Sequence, residues 1–371
     1  VIYPNFSFDN GKFGDYTEVV NANDCKMKRN ITIKDIAEIA NVSPSTVSRG
    51  LNDSPLVSEK TRKRIQEIAM ERGFNFNTSA RSLITKKTGI IGLIYPEHFY
   101  EYQHSFYLTL LMNKIRDILE EYSYDLILKM KENASTGENN IRYLVNSKKV
   151  DGLILVHSKI EQSELDFLHE NGMPFVLLQA RQHYVNIERE NWIFVDHRKG
   201  GYIATNHLIG LGHSSILCLM LDSPQIQFAE RTKGYQQALE DNNIQGEKEK
   251  IVLCDGTFEC SFNLVMERRD LIHSVTAIFA QTDIMALGAI EALREIGISV
   301  PEDMAVVAYD DIEFGKHFRP KLTTIHQPRD QLAVLGCDRL REMLETGEFQ
   351  PPMQRLIEPY LIVRESCGAE R

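Results

Sequence analysis

The octapeptide "PSTVSRGL" (Pro44–Leu51) turns one helical face of Ser45, Thr46, Ser48 and Arg49 outward and points Val47 and Leu51 inward. Small hydroxyl side chains allow close approach to a base edge, and a guanidinium can grip guanine in a major groove. The same pattern also suits a three-helix module with no role on DNA. A second group of candidates follows short apolar runs further along. "HSFYLTL" offers Phe106 and Tyr107, "QARQ" offers Gln179 and Arg181, and "NWIFVDH" offers Trp192, the single tryptophan, with Asp196. An aromatic face beside carboxylates suits the apolar face and the hydroxyls of a sugar. The alternatives are packing at a helix start for the two aromatics of the first segment, a surface position for Arg181 and a core position for Trp192. No GxSxG, P-loop, HExxH or GxGxxG spacing is present, so an enzyme is disfavoured. His207 and His213 are read as separate helix and turn residues rather than as metal ligands, and no metal or cofactor is expected.

The elements that would position the first group are legible from their caps. Thr32 caps a helix over Ile33–Ala40, with Asp35 in its first turn, and Asn41 can take the left-handed conformation that ends it. Ser43 caps a second helix with Pro44 at its first position. Ser58 caps a third that runs to Arg72 before Gly73, with Ile65, Ile68 and Ala69 on its inner face. The short gap between the first two helices is the helix-turn-helix spacing. Lys28 to Lys87 carries 12 Lys and Arg against 6 Asp and Glu, so its net charge is +6. The chain as a whole is at −10, which leaves −16 for the rest. Such asymmetry points to one end meeting a polyanion.

From Ile90 onward short apolar runs alternate with helical patterns. Strands are expected at Ile90–Tyr95, Asp125–Lys129, Gly152–Val156, Phe175–Gln179, Ile216–Met220, Ala277–Ala280 and Ala305–Tyr309. Helices are expected at Leu108–Glu121, Lys199–Leu211, Glu230–Glu240, Ile284–Glu295 and Arg329–Glu345. This alternation predicts doubly wound parallel sheets in two lobes, with ligands at the carboxyl ends of the strands. At 371 residues, two or three domains fit. No apolar run is long enough for a transmembrane helix and no secretory signal is seen, so a cytoplasmic protein with no membrane partner is expected. The six cysteines show no CxxC or zinc spacing and are expected as separate reduced thiols.

The segments "TIKDIAEIANVSPSTVSRGLN", "VSEKTRKRIQEIAMERGFNFN" and "ARSL", then "GIIGLIYP", "VDGLILV", "HLIGLGH", "ERTKGYQQAL", "AIFAQTDIMALGAIEAL", "VPEDMAVVAYDDIEF", "LTTIHQP" and "LIVRES", resemble the lactose-repressor/galactose-repressor family of bacterial transcription regulators from about Ile31 to Cys367. The resemblance implies an N-terminal helix-turn-helix headpiece and a two-lobed periplasmic-binding-protein-like α/β domain. Its domains would be a mobile tail (1–26), the DNA-binding head (27–76), a hinge helix or linker (77–88) and an effector-binding, dimerising remainder (89–371). Family members normally begin near Met27.

Operator DNA, a sugar or sugar phosphate effector and a second copy of the chain are the implied partners. The DNA contacts would be Thr32, Pro44, Ser45, Thr46, Ser48, Arg49 and Asn52 in the head, then Asn77, Ala80, Arg81 and Leu83 in the hinge. Leu83 would wedge into the minor groove. Arg231 and Asp310 would contact the effector across the cleft, beside Asp283, Phe106, Tyr107, Gln179, Arg181, Trp192 and Asp196.

The chain departs from the family in three places. Phe76 stands for a common Pro, Thr282 stands for a common Asn, and Gly50 stands for Ala or Val, which implies a looser end to the recognition helix. Three crossings between lobes are expected near Trp192, His326 and Pro352. The absence of a leucine heptad after "LIVRESCGAER" implies a dimer rather than a tetramer. The different-class alternative is an exported solute-binding protein of the same two-lobed fold, which would need a signal sequence and no helix-turn-helix.

Overall fold

In the headpiece each helix is opened by a hydroxyl. The computed structural model describes residues 31–51, 54–72, 74, 87–95, 105–156, 160–179, 187–223, 225–245, 250–346 and 351–369. The chain divides into two compact units, Val1–Arg81 and Ser82–Arg371. The expected tail (1–26) and all of the hinge (77–88) except residues 87 and 88 lie outside the described residues.

Helix α1 (Ile33–Ala40) has a reciprocal cap: the Asp35 N–H bonds the Thr32 hydroxyl, and the Thr32 N–H bonds the Asp35 carboxylate at 2.7 Å. Asn41 ends it at φ 56°, ψ 48°. The Ser43 hydroxyl accepts from the Thr46 N–H at 3.1 Å and opens α2 (Pro44–Leu51), and Ser58 opens α3 (Glu59–Glu71). Ile36, Ala37, Ala40, Val47, Ile65 and Ala69 form the core between them. A Cβ on Gly50 would stand 2.7 Å from Ile65 Cδ1, so the residue lets α2 lie close on α3.

The second unit runs β1 (Ile90–Tyr95), α4 (Ser105–Glu121), β2 (Asp125–Met130), α5 (Asn140–Asn146), β3 (Gly152–Val156), α6 (Gln162–Glu170), β4 (Phe175–Leu178) and β5 (Trp192–Val195). It continues through α7 (His197–Gly210), β6 (Ile216–Leu221), α8 (Ile226–Asp241), β7 (Ile251–Cys254), α9 (Phe258–Glu267), α10 (Arg269–His273), β8 (Ala277–Ala280), α11 (Asp283–Glu295), β9 (Ala305–Tyr309), α12 (Glu313–His317) and β10 (Thr323–His326). Helix α13 (Arg329–Thr346), β11 (Gln354–Ile357) and β12 (Tyr360–Ile362) follow. Two six-stranded sheets result, ordered β11-β5-β4-β3-β1-β2 and β12-β10-β9-β8-β6-β7. Among the described strands every pairing is parallel except β10 with β12. A parallel strand needs a crossover connection, which is why helices cover both faces of each sheet.

The chain passes between lobes at Asp196, at Gln327–Pro328 and at Glu358–Pro359. The third crossing lies after β11, not near Pro352, because residues 354–357 first pair in parallel with β5. "NWIFVDH" was expected to follow an apolar run, but its residues 192–195 themselves pair with β4 and β11 as β5. Cys254 and Cys260, expected as separate thiols, are joined by a disulfide. Among the described residues no helix is long and apolar enough to cross a membrane.

Helices α7 and α8 meet backbone to backbone. A Cβ on Gly201 would stand 2.1 Å from the Arg231 carbonyl oxygen, and one on Gly234 would stand 2.0 Å from that of Arg198. Only hydrogen fits at either position, and the contact fixes the turn of α8 that carries Arg231. Gly201→Ala should therefore lower the stability of the second unit by about 1–3 kcal/mol, the usual range for overpacking, read as a shift in the urea midpoint at constant slope.

Candidate functional site

The headpiece presents the second helix as an exposed edge. Pro44, Ser45 and Arg49 are exposed, while Thr46 and Ser48 are half-buried. The Ser43 hydroxyl lies 2.8 Å from those of both Ser45 and Thr46, so the first turn holds its small side chains in a fixed set. Thr32 is exposed, but its hydroxyl is committed to Asp35. Lys34, Lys60, Lys63, Arg64 and Arg72 add exposed cations to the same unit. Asn52, Asn77, Ala80, Arg81 and Leu83 lie outside the described residues.

The second site is buried between the lobes. Arg231, on the second turn of α8, has its Nη2 3.5 Å from Asp310 Oδ1. Its Nη1 donates to the Gln281 carbonyl, and its Nε lies 3.4 Å from His197 Nδ1. Its guanidinium carbon stands 3.6 Å from the Tyr309 ring centre and 4.9 Å from that of Phe228. A buried guanidinium needs such partners, because burying a charge unpaired costs several kcal/mol. Gln327 Nε2 donates to Asp310 Oδ1 at 2.7 Å, and Gln179 Nε2 donates to Gln327 Oε1 at 3.2 Å and to the Tyr107 hydroxyl at 3.3 Å. The Val195 N–H returns a bond to Gln179 Oε1 at 3.0 Å. An unbroken polar chain therefore runs from Tyr107 in the first lobe, through the crossing residue Gln327, to Arg231 in the second.

Backbone strain concentrates here. Gln179 (φ 60°), Asp310 (φ 120°) and Asp311 (φ 52°) all occupy conformations that non-glycine residues avoid. What holds Asp310 in place is a ring of bonds around its neighbours. Asp283 accepts from the Ile312 N–H at 2.7 Å and from the Thr324 hydroxyl at 2.5 Å. Asp311 is gripped by Arg364 and by His326 Nδ1 at 2.8 Å. Asp283 was expected to face the ligand, and the structure instead spends both its oxygens on this brace. Thr282, at the place of the family's Asn, caps α11 by accepting from the Met285 N–H at 3.2 Å.

The remaining candidates divide. Asp196 caps α7 by accepting from the Lys199 N–H at 2.9 Å. With Gln179, Gln227 and Glu230 it lines an open recess. Phe106 is exposed and meets Phe314 of the other lobe edge to face at 5.2 Å. Trp192 does not join the cluster. It begins β5, at the end away from Asp196, and stacks on Phe194 at 4.6 Å within the first lobe's core. Arg181 lies outside the described residues. Sequence reasoning assigned no role to Gln327, Gln281, Tyr309, His197, Asp311 or Arg364. The trace of them in the sequence is that "AIFAQ", "WIFVDH", "AYDD", "HQP" and "LIVRES" place polar groups at or just after strand ends.

Residues 32–77 match the bacterial regulatory proteins of the lacI family, and residues 205–367 match a periplasmic binding protein-like domain. The HTH-type transcriptional repressor PurR of Aliivibrio fischeri is 31% identical over 342 residues, spanning 90% of this chain and 98% of that protein. The chain belongs to the lacI family. Among solved structures, a lac repressor dimer bound to operator and the anti-inducer ONPF is similar at a TM-score of 0.75 and 25% identity, covering 91% of this chain and 99% of that one. The complex of the transcriptional regulator CelR with cellobiose is similar at a TM-score of 0.67 and 29% identity, with the same coverage. A lacI-family reading accounts for both sites: a head with an exposed polar helix and a sensor unit with a ligand cleft.

Burial pushes the Asp310 carboxyl up to about 6, against the pull of Arg231 and of the Gln327 bond. Burial, and then the charge of Asp310, also hold Asp283 well above the usual carboxylate range. Asp311 is buried too, but the bonds from His326 and Arg364 outweigh that and bring it to about 2. A carboxyl with a raised folded pKa stabilises most below its unfolded value near 3.9, and that contribution is lost as pH rises through about 6. Asp311 has the opposite sign, and its contribution is lost only as pH falls from about 3.9 through about 2. Between pH 4 and 7, Asp310→Asn should therefore remove a fall in unfolding free energy on the order of 2–3 kcal/mol, measured by chemical unfolding at unit steps of pH.

Proposed function

We propose that this lacI-family regulator is an operator-binding repressor whose cleft takes a small sugar, and that sugar binding changes its hold on DNA. The observation that carries the reading is the buried Arg231–Asp310 pair at the lobe junction. A guanidinium only donates and a carboxylate only accepts, so the two side by side match a vicinal diol, whose hydroxyls do both. The similarity to a regulator solved with cellobiose supports a carbohydrate ligand. The similarity to a repressor dimer solved on its operator supports DNA and a second copy as partners.

Arg49 reads a base edge from the exposed face of α2, with Ser45, Thr46 and Ser48 beside it, while the surrounding lysines and arginines hold phosphates. Asn77, Ala80, Arg81 and Leu83 extend the contact into the minor groove, Leu83 as an apolar wedge. Phe106, Tyr107, Gln179, Asp196, Arg231 and Asp310 hold the sugar, and Asp283 positions Asp310. The protein works in the cytoplasm, where its DNA is, and catalyses no reaction. Coupling of this kind amounts to about 1–3 kcal/mol in typical systems.

Two measurements test the reading. In fluorescence anisotropy on the DNA upstream of its own gene, Arg49→Ala should cost about 1–3 kcal/mol on the specific site and relax preference at one base pair. Equal weakening on random DNA would make Arg49 a phosphate contact. In a thermal-shift screen of neutral sugars, a ligand should raise the melting temperature of the wild type, and Arg231→Ala and Asp310→Asn should each abolish that shift while operator binding stays near wild type. An undiminished shift in both variants would remove the pair from the site.

A further inference from the structure

We propose that Cys254 and Cys260 form a reversible thiol–disulfide pair that opens and closes the loop at the carboxyl end of β7. The two cysteines are paired as a disulfide, and their Cα atoms are 5.9 Å apart, within the Cα separations that disulfides span. They differ in access: Cys254 is buried at the end of its strand, while Cys260 is half-buried on the first turn of α9. The Thr257 hydroxyl opens that helix by accepting from the Cys260 N–H at 2.9 Å, and the Asp255 N–H donates to Cys260 Sγ at 3.4 Å. A helix start and an N–H aimed at the sulfur both favour a thiolate, the form that attacks disulfides.

The other described cysteines lack this setting. Cys218, Cys337 and Cys367 are free and buried, and burial pushes the Cys218 and Cys337 thiols up, the latter to about 12. A protein that works on DNA in the cytoplasm sits in a reducing compartment, where a disulfide is a transient regulatory bond more often than a permanent staple; this step rests on the function proposed above. A metal could use the same atoms, since donors of Cys254, Asp255 and Cys260 lie within 4.8 Å of one another. They amount to three ligands, whereas a closed structural zinc site takes four.

The oxidant is a low-molecular-weight disulfide such as oxidised glutathione. The Cys260 thiolate attacks one of its sulfurs and expels one glutathione thiolate, leaving a mixed disulfide. The Cys254 thiolate then attacks Cys260 Sγ and expels the second. Two protein thiols and one small disulfide become one protein disulfide and two small thiols, with both protons carried by the leaving groups. The bond closes a loop that holds Phe258. It lies at the same end of the second sheet as Gln281 after β8 and Asp310 after β9, and α9 packs on α11, whose first residue, Asp283, braces the Asp310 loop. Oxidation therefore stiffens one wall of the cleft.

The test equilibrates the full chain in glutathione buffers from fully reduced to fully oxidised, traps thiols with a maleimide and maps peptides by mass. Cys254 and Cys260 should pass together from two labelled thiols to none, and reduced glutathione should reverse the change. The amides of residues 255–262 should exchange at least about threefold more slowly in the oxidised form. Cys254→Ser should stop at one glutathione on Cys260, and Cys260→Ser should take up none. A pair that stays thiol, or stays disulfide, in every buffer overturns the proposal. So does unchanged amide exchange, or one zinc per reduced chain shielding both thiols from label.

Discussion

A charged guanidinium buried between two lobes constrains nearly everything around it. Arg231 leaves its positive charge in a region that water does not reach, so its neighbours must supply what water would. The Gln281 carbonyl after β8, and the Tyr309 ring and the Asp310 carboxylate at the end of β9, do so. Asp310 in turn is held in an unfavourable backbone conformation, which persists only because Asp283, Thr324 and Ile312 tie down its surroundings. The glycine contact between α7 and α8 serves the same end, since it brings the Arg231 turn close enough to meet those partners.

The polar chain through Gln327 gives the cleft its mechanical character. Gln327 lies on a segment that passes from one lobe to the other, and it donates to Asp310 while accepting from Gln179. A ligand hydroxyl that takes the Asp310 oxygen competes with the bond that ties the second lobe to the crossing. Occupancy and lobe geometry are then two aspects of one equilibrium.

The head was legible in the sequence because its signals are local. Thr32, Ser43 and Ser58 each sit one residue before a helix and bond within three residues, so caps alone set its limits. The central strands were legible as continuous apolar runs, as in β3 and β9, where every residue is buried. The flanking strands were not. β7, β11 and β12 are edge strands of three or four residues with exposed positions, and β10 buries two threonines whose hydroxyls are satisfied by the distant residues Asp283, Asp311, Arg364 and Cys367. The same division runs through the cleft. Arg231, Asp310, Gln327, Tyr309 and Arg364 all stand in segments that carried the resemblance, but of these only Arg231 and Asp310 were singled out there, and Gln327, Tyr309 and Arg364 acquire meaning only when distant strand ends come together. Trp192 misled because a single tryptophan beside a carboxylate resembles a sugar platform, and four apolar residues in a row were a strand instead.

The three crossings also impose an order on how the protein can be made. The first lobe's sheet ends at β11 and its core is closed by α13, both from residues 329–357, although its other strands lie before residue 196. The second lobe likewise waits for β12, Arg364 and Ser366, which bond or pair with residues 306, 311 and 322–326. On the ribosome, which adds residues at about 5–20 per second, neither lobe can complete its sheet until residues 354–366 have emerged. The small head, whose contacts span about forty residues, meets no such delay. A nascent chain thus carries a folded DNA reader ahead of an unfinished sensor, and the sensor's two halves close together once those residues are made.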